Sequence, residues 1–277
     1  MAKTRLDLLL VERGLAESRA KAQALVMAGQ VRVDGQVVDR PAANVVIDAN
    51  ISVDRGPRFV SRGGEKLEAA LTAFPVEVTG RVCADVGAST GGFTDCLLQH
   101  GAAKVYAIDV GKGLLHWKLR TDPSVVVMEE TNARFVEKLP EPVSLVTIDA
   151  SFISLKILLP VVKGWLTPAP LAPSGHSPHF RSKWGETEGG VIALIKPQFE
   201  AGRKETAKHK GVIRDPEVHK AVLTEVLTFA QGQGFAVRGL RRSPVLGPKG
   251  NVEFLAWLGV GEEESNLPAQ VEQALGK

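Results

Sequence analysis

The sequence predicts an α/β fold preceded by a small α+β module, and three observations support this. The 277 residues are 44% hydrophobic and 23% charged, as in an ordinary globular protein with a sizeable core. From Arg81 onward, short apolar runs alternate with amphipathic stretches, the pattern of parallel strands joined by helices. Before residue 60 the pattern is different, with two helical stretches and a hairpin signal. We therefore expect a small domain over residues 1–60, a linker and first helix over 61–80, and an α/β domain over 81–277.

The first module is predicted to contain two short helices and a small sheet. Thr4 is a candidate cap for the first helix, whose apolar face is Leu6, Leu9 and Leu10. The second helix, over residues 18–28, has a candidate apolar face made of Ala20, Ala24, Leu25 and Ala28. Alternating valines around Asp34-Gly35 indicate a hairpin, and residues 45–53 indicate a further strand.

A basic second helix followed by this hairpin resembles the small RNA-binding domain named after a ribosomal small-subunit protein. The motif is Arg19 and Lys21 on the helix, then G-x-V-x-V-D-G over residues 29–35. That family places a basic helix face against RNA, so the resemblance implies RNA contacts by Arg5, Arg19 and Lys21, with Arg62 in the linker. The alternative is that these basic residues are simply solvated. A net charge of +3, from 34 basic and 31 acidic residues, permits an RNA partner without requiring one.

The second module has six candidate strands and, among others, two clear candidate helices. The strands are Val82–Val86, Lys104–Ile108, Val125–Met128, Leu145–Ile148, Gly190–Ile195 and Val252–Leu258; the helices are 94–100 and Pro216–Gly232. Strands that alternate with helices predict a parallel sheet covered on both faces. The stretch 167–189 is rich in proline, glycine and serine, and is predicted to be a mobile loop.

Several features indicate a reduced, cytoplasmic and membrane-free protein. Cys83 and Cys96 lie in apolar segments without metal-ligand spacing, so we expect buried free thiols. The N-terminus lacks the pattern of a signal peptide, and no apolar run reaches the length of a membrane-spanning helix. His176 and His179 have no accompanying ligand cluster, so no metal is expected.

A glycine-rich loop follows the first strand of this domain and opens a helix. It has the sequence Asp85-Val86-Gly87-Ala88-Ser89-Thr90-Gly91-Gly92-Phe93, and Asp109 ends the next strand. Glycines let the backbone approach a ligand closely, and an acid at the end of the second strand can accept both hydroxyls of a ribose. A glycine turn without any ligand is the alternative interpretation.

The spacing of the glycines distinguishes between two classes of nucleotide-type cofactor. A dinucleotide site requires G-x-G-x-x-G, whereas this loop has Gly87, Gly91 and Gly92. The loop instead resembles that of class I (Rossmann-like) S-adenosylmethionine methyltransferases. The resemblance implies that Asp85 faces the ammonium side of S-adenosylmethionine and Asp109 its ribose. The implied cofactor-binding residues are Asp85, Gly87, Ser89, Thr90, Gly91, Gly92, Phe93, Asp109, Val110 and Asn132.

Four charged residues lie where strands end or helices begin. They are Lys66, Asp149, Lys196 and Glu253. In an open α/β sheet the ligand crevice lies outside the carboxyl ends of the strands, which places Asp149 and Lys196 at one crevice. In the order Lys–Asp–Lys–Glu, the four resemble the catalytic tetrad of FtsJ/RrmJ-like RNA ribose 2′-O-methyltransferases. A ribose hydroxyl must be positioned and its proton withdrawn as it reacts. Lys196 is our candidate for the group nearest the hydroxyl and for the base, and the proton acceptor among the four stays open.

Taken over its length, the sequence is identified as a member of the TlyA (haemolysin A-like) family. Matching stretches include residues 59–67, 85–95, 149–155, 196–200 and 211–215. The resemblance implies an S-adenosylmethionine-dependent methyltransferase that acts on ribosomal RNA, at a cytidine 2′-hydroxyl, with ribosomal RNA or subunits as partners. The stretch 167–189 is longer and richer in proline than the family pattern.

Two other function classes are weighed against this enzyme. An RNA-binding protein with a vestigial cofactor site is opposed by the intact Lys–Asp–Lys–Glu set. A pore-forming haemolysin would require long apolar helices or alternating barrel strands, and neither is evident. A basic stretch, Arg203, Lys204, Lys208, Lys210 and Arg214, is a candidate for gripping RNA phosphates or a solvated loop.

Overall fold

The computed structural model describes residues 2–54, 56–166, 189–261 and 266–276, without the side chains of Arg203 and Lys204. The chain divides into two compact units, Met1–Arg58 and Phe59–Lys277. The predicted loop 167–189, including His176 and His179, lies outside the described residues except for Gly189.

The first unit contains two helices and two small antiparallel sheets. Its elements are β1 (Lys3–Arg5), α1 (Leu6–Glu12), α2 (Arg19–Met27), β2 (Val31–Val33), β3 (Gln36–Val37), β4 (Asn44–Val46) and β5 (Ile51–Val53). Strand β1 pairs with β4, and the other sheet has the order β3-β2-β5. Asp34 and Gly35 both have positive φ values, as a tight two-residue hairpin requires.

One local expectation for this unit was wrong, and a second was right only for Leu25. Thr4 does not cap α1, because it lies in β1 and pairs with Val45. The buried face of α2 is Ala22, Leu25 and Val26, whereas Ala20 and Ala24 are exposed. Leu25 and Val26 have larger side chains than Ala20 and Ala24. Their burial removes more apolar area from water, so these two residues decide which face of α2 turns inward.

The second unit is built around a seven-stranded sheet. Its strands are β6 (Val82–Val86), β7 (Lys104–Ile108), β8 (Val125–Met128), β9 (Leu145–Ile148), β10 (Gly190–Ile195), β11 (Phe235–Arg242) and β12 (Phe254–Val260). Its helices are α3 (Gly63–Ala73), α4 (Gly92–Gln99), α5 (Trp117–Arg120), α6 (Leu155–Lys163), α7 (Pro197–Glu200), α8 (Gly202–Lys208), α9 (Pro216–Gly232) and α10 (Leu267–Leu275). Two short 3₁₀ turns are Ala133–Phe135 and Pro248–Gly250.

The strand order is β11-β12-β10-β9-β6-β7-β8. Strands β6 to β10 run parallel, whereas β12 runs antiparallel to both neighbours, β10 and β11. The expected α/β sheet is therefore confirmed, with two differences. Strand β11 was not predicted, and β12 begins two residues later than predicted and reverses the direction of the sheet.

Apolar residues alternate between the two faces of the sheet along each central strand. On one face Ala84, Val146 and Ile195 pack against α6, α9 and α10; on the other Cys83, Leu145 and Leu194 pack against α3 and α4. Both cysteines are buried free thiols. Because both faces are covered, polar side chains can reach solvent mainly at the strand ends, where the candidate site lies.

Candidate functional site

The glycine loop between β6 and α4 follows a path that only small residues allow. Gly87 has φ +84, and a Cβ there would lie 2.8 Å from the backbone oxygen of Asp149. Gly91 has φ +98, and a Cβ there would overlap the side chains of Leu115 and Leu119. Ser89, at the tip, also has a left-handed φ of +49. The loop is thus pressed against the end of β9, next to one of the predicted catalytic residues.

Asp109 holds this loop from the end of β7. Its Oδ2 accepts a hydrogen bond from the backbone nitrogen of Ser89 at 2.8 Å, and its Oδ1 accepts one from Gly111 at 2.7 Å. Next to it, Val110 exposes 67% of its surface. Asn132 follows β8, and its side chain accepts a hydrogen bond from the backbone of Arg134. These three predicted residues lie after neighbouring parallel strands, at the edge where the glycine loop is found.

Asp85 is fully buried and does not reach the surface of the site. The Thr94 hydroxyl donates to its Oδ2 at 2.7 Å, and the Thr147 hydroxyl donates to its Oδ1 at 3.1 Å. Burial raises the pKa of Asp85 to about 7, although these hydrogen bonds oppose the shift. The carboxyl group therefore ties the first turn of α4 to β6 and β9 rather than pointing into solvent.

Lys66 and Glu253 form a buried ion pair although they are 187 positions apart. Lys66 Nζ lies 2.6 Å from Glu253 Oε2, and both side chains are at least nine-tenths buried. Lys66 lies near the start of α3. Since β12 is antiparallel, Glu253 just before it lies at the carboxyl edge of β10, where Ile195 pairs with Phe254. The Glu253 carboxylate also accepts a longer hydrogen bond from Gln198, at 3.4 Å.

Lys196 and Asp149 form a second ion pair at the ends of β10 and β9. Lys196 Nζ lies 2.6 Å from Asp149 Oδ1, and it also donates to the Asp149 backbone oxygen at 3.2 Å. A third bond runs to the Ser151 hydroxyl at 3.0 Å. An ammonium group has three protons to donate, so the three acceptors match its full capacity.

Both ion pairs line one cavity of about 370 Å³. It includes the four predicted catalytic residues Lys66, Asp149, Lys196 and Glu253, five predicted cofactor residues, Gly87, Ser89, Thr90, Gly92 and Phe93, and one predicted RNA contact, Arg62. Phe93 is otherwise part of the core beneath the sheet. Asp85, Gly91, Asp109, Val110 and Asn132 are not among the residues that line this cavity.

Several residues of the site were not predicted. Ser151 and Gln198 contact the ion pairs, and residues 245–248 form one wall of the cavity. Phe152 is 90% exposed with φ +64, and its ring lies 4.9 Å from that of Phe199. The available signal was position alone, since each of the first two lies within two residues of a predicted catalytic residue.

In the first unit, two predicted RNA contacts share one buried carboxylate. Asp7 accepts hydrogen bonds from Arg5 at 2.9 and 3.0 Å, from Arg19 at 3.0 Å and from Gln23 at 2.9 Å. The Arg5 guanidinium and these other donors hold the pKa of Asp7 well below its usual range. Arg5 and Arg19 keep 40% and 54% of their side chains exposed, and Lys21 is exposed on α2.

Two features are absent from the residues that the structure describes. Within residues 2–54, 56–166, 189–261 and 266–276, no group of three or more His, Cys, Asp or Glu side chains is arranged to hold a metal ion. No helix in the same ranges is long and apolar enough to cross a membrane.

Comparison with known proteins identifies both units. Residues 59–260 match the family model described as FtsJ-like methyltransferase, and residues 4–51 match the S4 domain. The protein YqxC of Bacillus subtilis is 46% identical over 97% of this chain and 91% of its own length. The Mycobacterium tuberculosis protein named 16S/23S rRNA (cytidine-2′-O)-methyltransferase TlyA is 42% identical over 92% of this chain and 90% of its own.

A solved structure from Streptococcus thermophilus agrees with these matches. That protein, which carries the name hemolysin, is 39% identical, with a TM-score of 0.69 over all of this chain and 95% of its own. The FtsJ-like match covers most of the chain, and the relatives extend across both units. The predicted resemblance is confirmed. The chain belongs to the FtsJ-like methyltransferase family, in the TlyA group that carries an N-terminal S4 domain.

Proposed function

We propose that the protein transfers the methyl group of S-adenosylmethionine to the 2′-hydroxyl of a cytidine in ribosomal RNA. The observation that carries this proposal is the pairing of Lys66 with Glu253 and of Lys196 with Asp149 around one cavity next to the glycine loop. The M. tuberculosis relative carries the name of an enzyme with this activity.

The residues after β6 and β7 fit S-adenosylmethionine. The Asp109 oxygens keep free lone pairs beyond their two backbone donors, which suits a ribose diol. The exposed side chain of Val110 offers an apolar surface for an adenine ring. The Gly87–Gly92 backbone lies open to the cavity, with room for a methionine tail. When bound there, the cofactor supplies a methyl group on a sulfonium with a good leaving group.

The chain then has to hold and deprotonate the hydroxyl. We assign Lys196 to the position nearest the 2′-oxygen, where its ammonium group stabilises the developing negative charge. The 2′-oxygen loses its proton as the new O–CH₃ bond forms, and we assign that proton to the Asp149 carboxylate, because the Lys196 ammonium has no lone pair to accept it. The buried Lys66–Glu253 pair positions the wall of the cavity. Phe152 offers an exposed aromatic face on which a base can stack.

The S4 domain supports RNA as the partner. Arg5 and Arg19 are held by Asp7 with part of each side chain exposed, and Lys21 extends the same basic helix. These side chains suit RNA phosphates, whose contacts supply most of the sequence-independent affinity. A ribosomal RNA substrate implies that the enzyme works in the cytoplasm.

The test is transfer of labelled methyl from S-adenosylmethionine to purified ribosomal subunits, next to an Asp149→Ala variant. Label in alkali-resistant dinucleotides, absent with the variant, is the expected result, because a methylated ribose blocks alkaline cleavage. Transfer to a base instead of a ribose would overturn the proposal. RNA binding without any transfer would favour a binding protein with a vestigial site.

A further inference from the structure

Two lysine–glycine turns in the catalytic unit share an unusual backbone conformation. Lys210 and Lys249 have φ values of +52 and +58, and each is followed by a glycine, with φ +79 at Gly211 and +82 at Gly250. Residues other than glycine rarely adopt this left-handed backbone conformation, and it persists where the surrounding structure holds it. Both lysines therefore stand at the tips of tight, fixed turns.

One buried side chain joins the two turns. Asn251 Nδ2 donates to the Gly211 backbone oxygen at 3.1 Å and to the Pro248 backbone oxygen at 3.0 Å. Asn251 Oδ1 accepts a hydrogen bond from the backbone nitrogen of Ile213 at 3.2 Å. Each turn is thus fixed within a residue or two of its lysine, and the lysines keep a set separation.

The turns belong to segments that border the catalytic cavity. Gly247 and Pro248, just before Lys249, line the cavity, and a Cβ at Gly247 would overlap the Glu253 carboxylate. The other turn follows α8, where the Thr206 hydroxyl donates to the backbone of Gln198, two residues after Lys196. The Lys249 turn therefore lies at the rim of the cavity, and the Lys210 turn is joined to it through Asn251. We refer to the two turns together as the rim.

The two turns and Arg214 carry exposed basic side chains, and the acids that follow Arg214 in the sequence are Asp215 and Glu217. Lys208 pairs with Glu205 at 2.8 Å. Lys210, Arg214 and Lys249 are exposed, and in the part of the chain that the structure describes they form no ion pair. Exposed lysines held in fixed positions suit phosphodiester groups, which the compact ammonium binds as a point charge.

We propose that Lys210 and Lys249, with Arg214 beside them, bind backbone phosphates of the RNA next to the nucleotide that enters the cavity. This inference rests on the proposed function, and it adds a second RNA contact on the catalytic unit, separate from the S4 domain. It gives the target nucleotide an anchor close to the reacting ribose, since phosphate contacts set the register of a nucleic acid on a protein.

The test measures binding of the full chain to deproteinised large- and small-subunit ribosomal RNA across a potassium chloride series. For the variant Lys210→Gln/Lys249→Gln, we expect the slope of log affinity against log salt to fall by about 1 to 2, since each phosphate contact contributes roughly 0.7 to 0.9. S-adenosylmethionine binding and the melting temperature should not change. The control Lys138→Gln removes an exposed charge elsewhere on the unit and should leave the slope near that of the wild type.

The arginine variant Lys210→Arg/Lys249→Arg should restore the slope, because it keeps both charges. An unchanged slope in the glutamine variant, or a fall equal to that of the control, overturns the rim contact. If the wild-type chain methylates ribosomal RNA in that same series, the proposed function stands while the rim contact fails. If the wild type neither binds this RNA nor methylates intact ribosomal subunits, the proposed function itself fails.

Discussion

Lys196 Nζ and Asp149 Oδ1 lie 2.6 Å apart at the ends of two neighbouring parallel strands, β10 and β9. The ammonium group has two further acceptors, the Asp149 backbone oxygen and the Ser151 hydroxyl. Its three protons are thus directed at atoms of one loop. The cation is fixed before any substrate arrives, which is the condition for stabilising charge without reorganisation in the transition state.

The first prediction compares the loss of the Lys196 ammonium group with the loss of one of its hydrogen-bond acceptors, Ser151. Replacing Lys196 with Met should lower methyl transfer on the order of 10²- to 10³-fold, because the negative charge that develops on the 2′-oxygen loses the cation that stabilises it. Ser151→Ala, the matched control, removes one of three acceptors and should cost far less. Single-turnover transfer to ribosomal subunits measures both. Near-normal transfer by Lys196→Met, with cofactor binding intact, would contradict the assigned role.

A second prediction concerns the buried pair of Lys66 and Glu253. Lys66→Met leaves the Glu253 carboxylate buried without its cation, so the free energy of unfolding should fall by about 3 to 5 kcal/mol. Adding Glu253→Gln removes the unpaired charge and should recover most of that loss. Urea denaturation of both variants measures the difference.

Activity is the second readout for this pair. Both variants should be poor enzymes, since the cavity loses its charges even where stability returns. A double variant no more stable than Lys66→Met would show that the pair is not the source of the loss.

Local patterns predicted the parallel strands at the bounds found, because each is a mostly apolar run of four to six residues. Strand β11 has only three apolar residues, Phe235 to Val237, before arginines and Gly239 interrupt the pattern, and as an edge strand it needs no second buried face. The strand ends predicted that Asp149 and Lys196 share one crevice, and the structure places their side chains in contact. Ser151 and Gln198, which contact these ion pairs, were not predicted, because an uncharged serine or glutamine gives no signal that distinguishes it from other polar loop residues.

The third prediction tests the close approach at Gly87. Gly87→Ala combines a left-handed φ with a Cβ placed 2.8 Å from the Asp149 backbone oxygen, so the loop must shift. We expect S-adenosylmethionine affinity to fall at least about tenfold, since backbone positions in such a loop set the ligand geometry. Isothermal titration calorimetry measures the affinity.

Gly113→Ala is the matched control for that variant. Gly113 also has a left-handed φ, of +67, but a Cβ there meets nothing within 4 Å. The Gly113→Ala variant should therefore lose only about 1 kcal/mol of folding stability, from the left-handed backbone, and keep its affinity for S-adenosylmethionine. Equal effects at both positions would mean that strain alone, and not the contact with Asp149, explains the Gly87 result.

The last prediction follows from the buried carboxyl group of Asp85. Its pKa is about 7 in the folded chain, against 3.8 as its ordinary value. Between these values the folded state binds more protons than the unfolded state, so this group makes the chain less stable as pH rises.

Asp85→Asn removes the titration while keeping the shape of the side chain. The free energy of unfolding of Asp85→Asn, relative to that of the wild type, should therefore increase by about 2 kcal/mol from pH 5 to pH 8. Thr94→Ser keeps the hydroxyl donor and should retain the wild-type pH dependence. Urea denaturation at the two pH values decides the matter, and an Asp85→Asn difference that is the same at both would show that the carboxyl group does not titrate in this range.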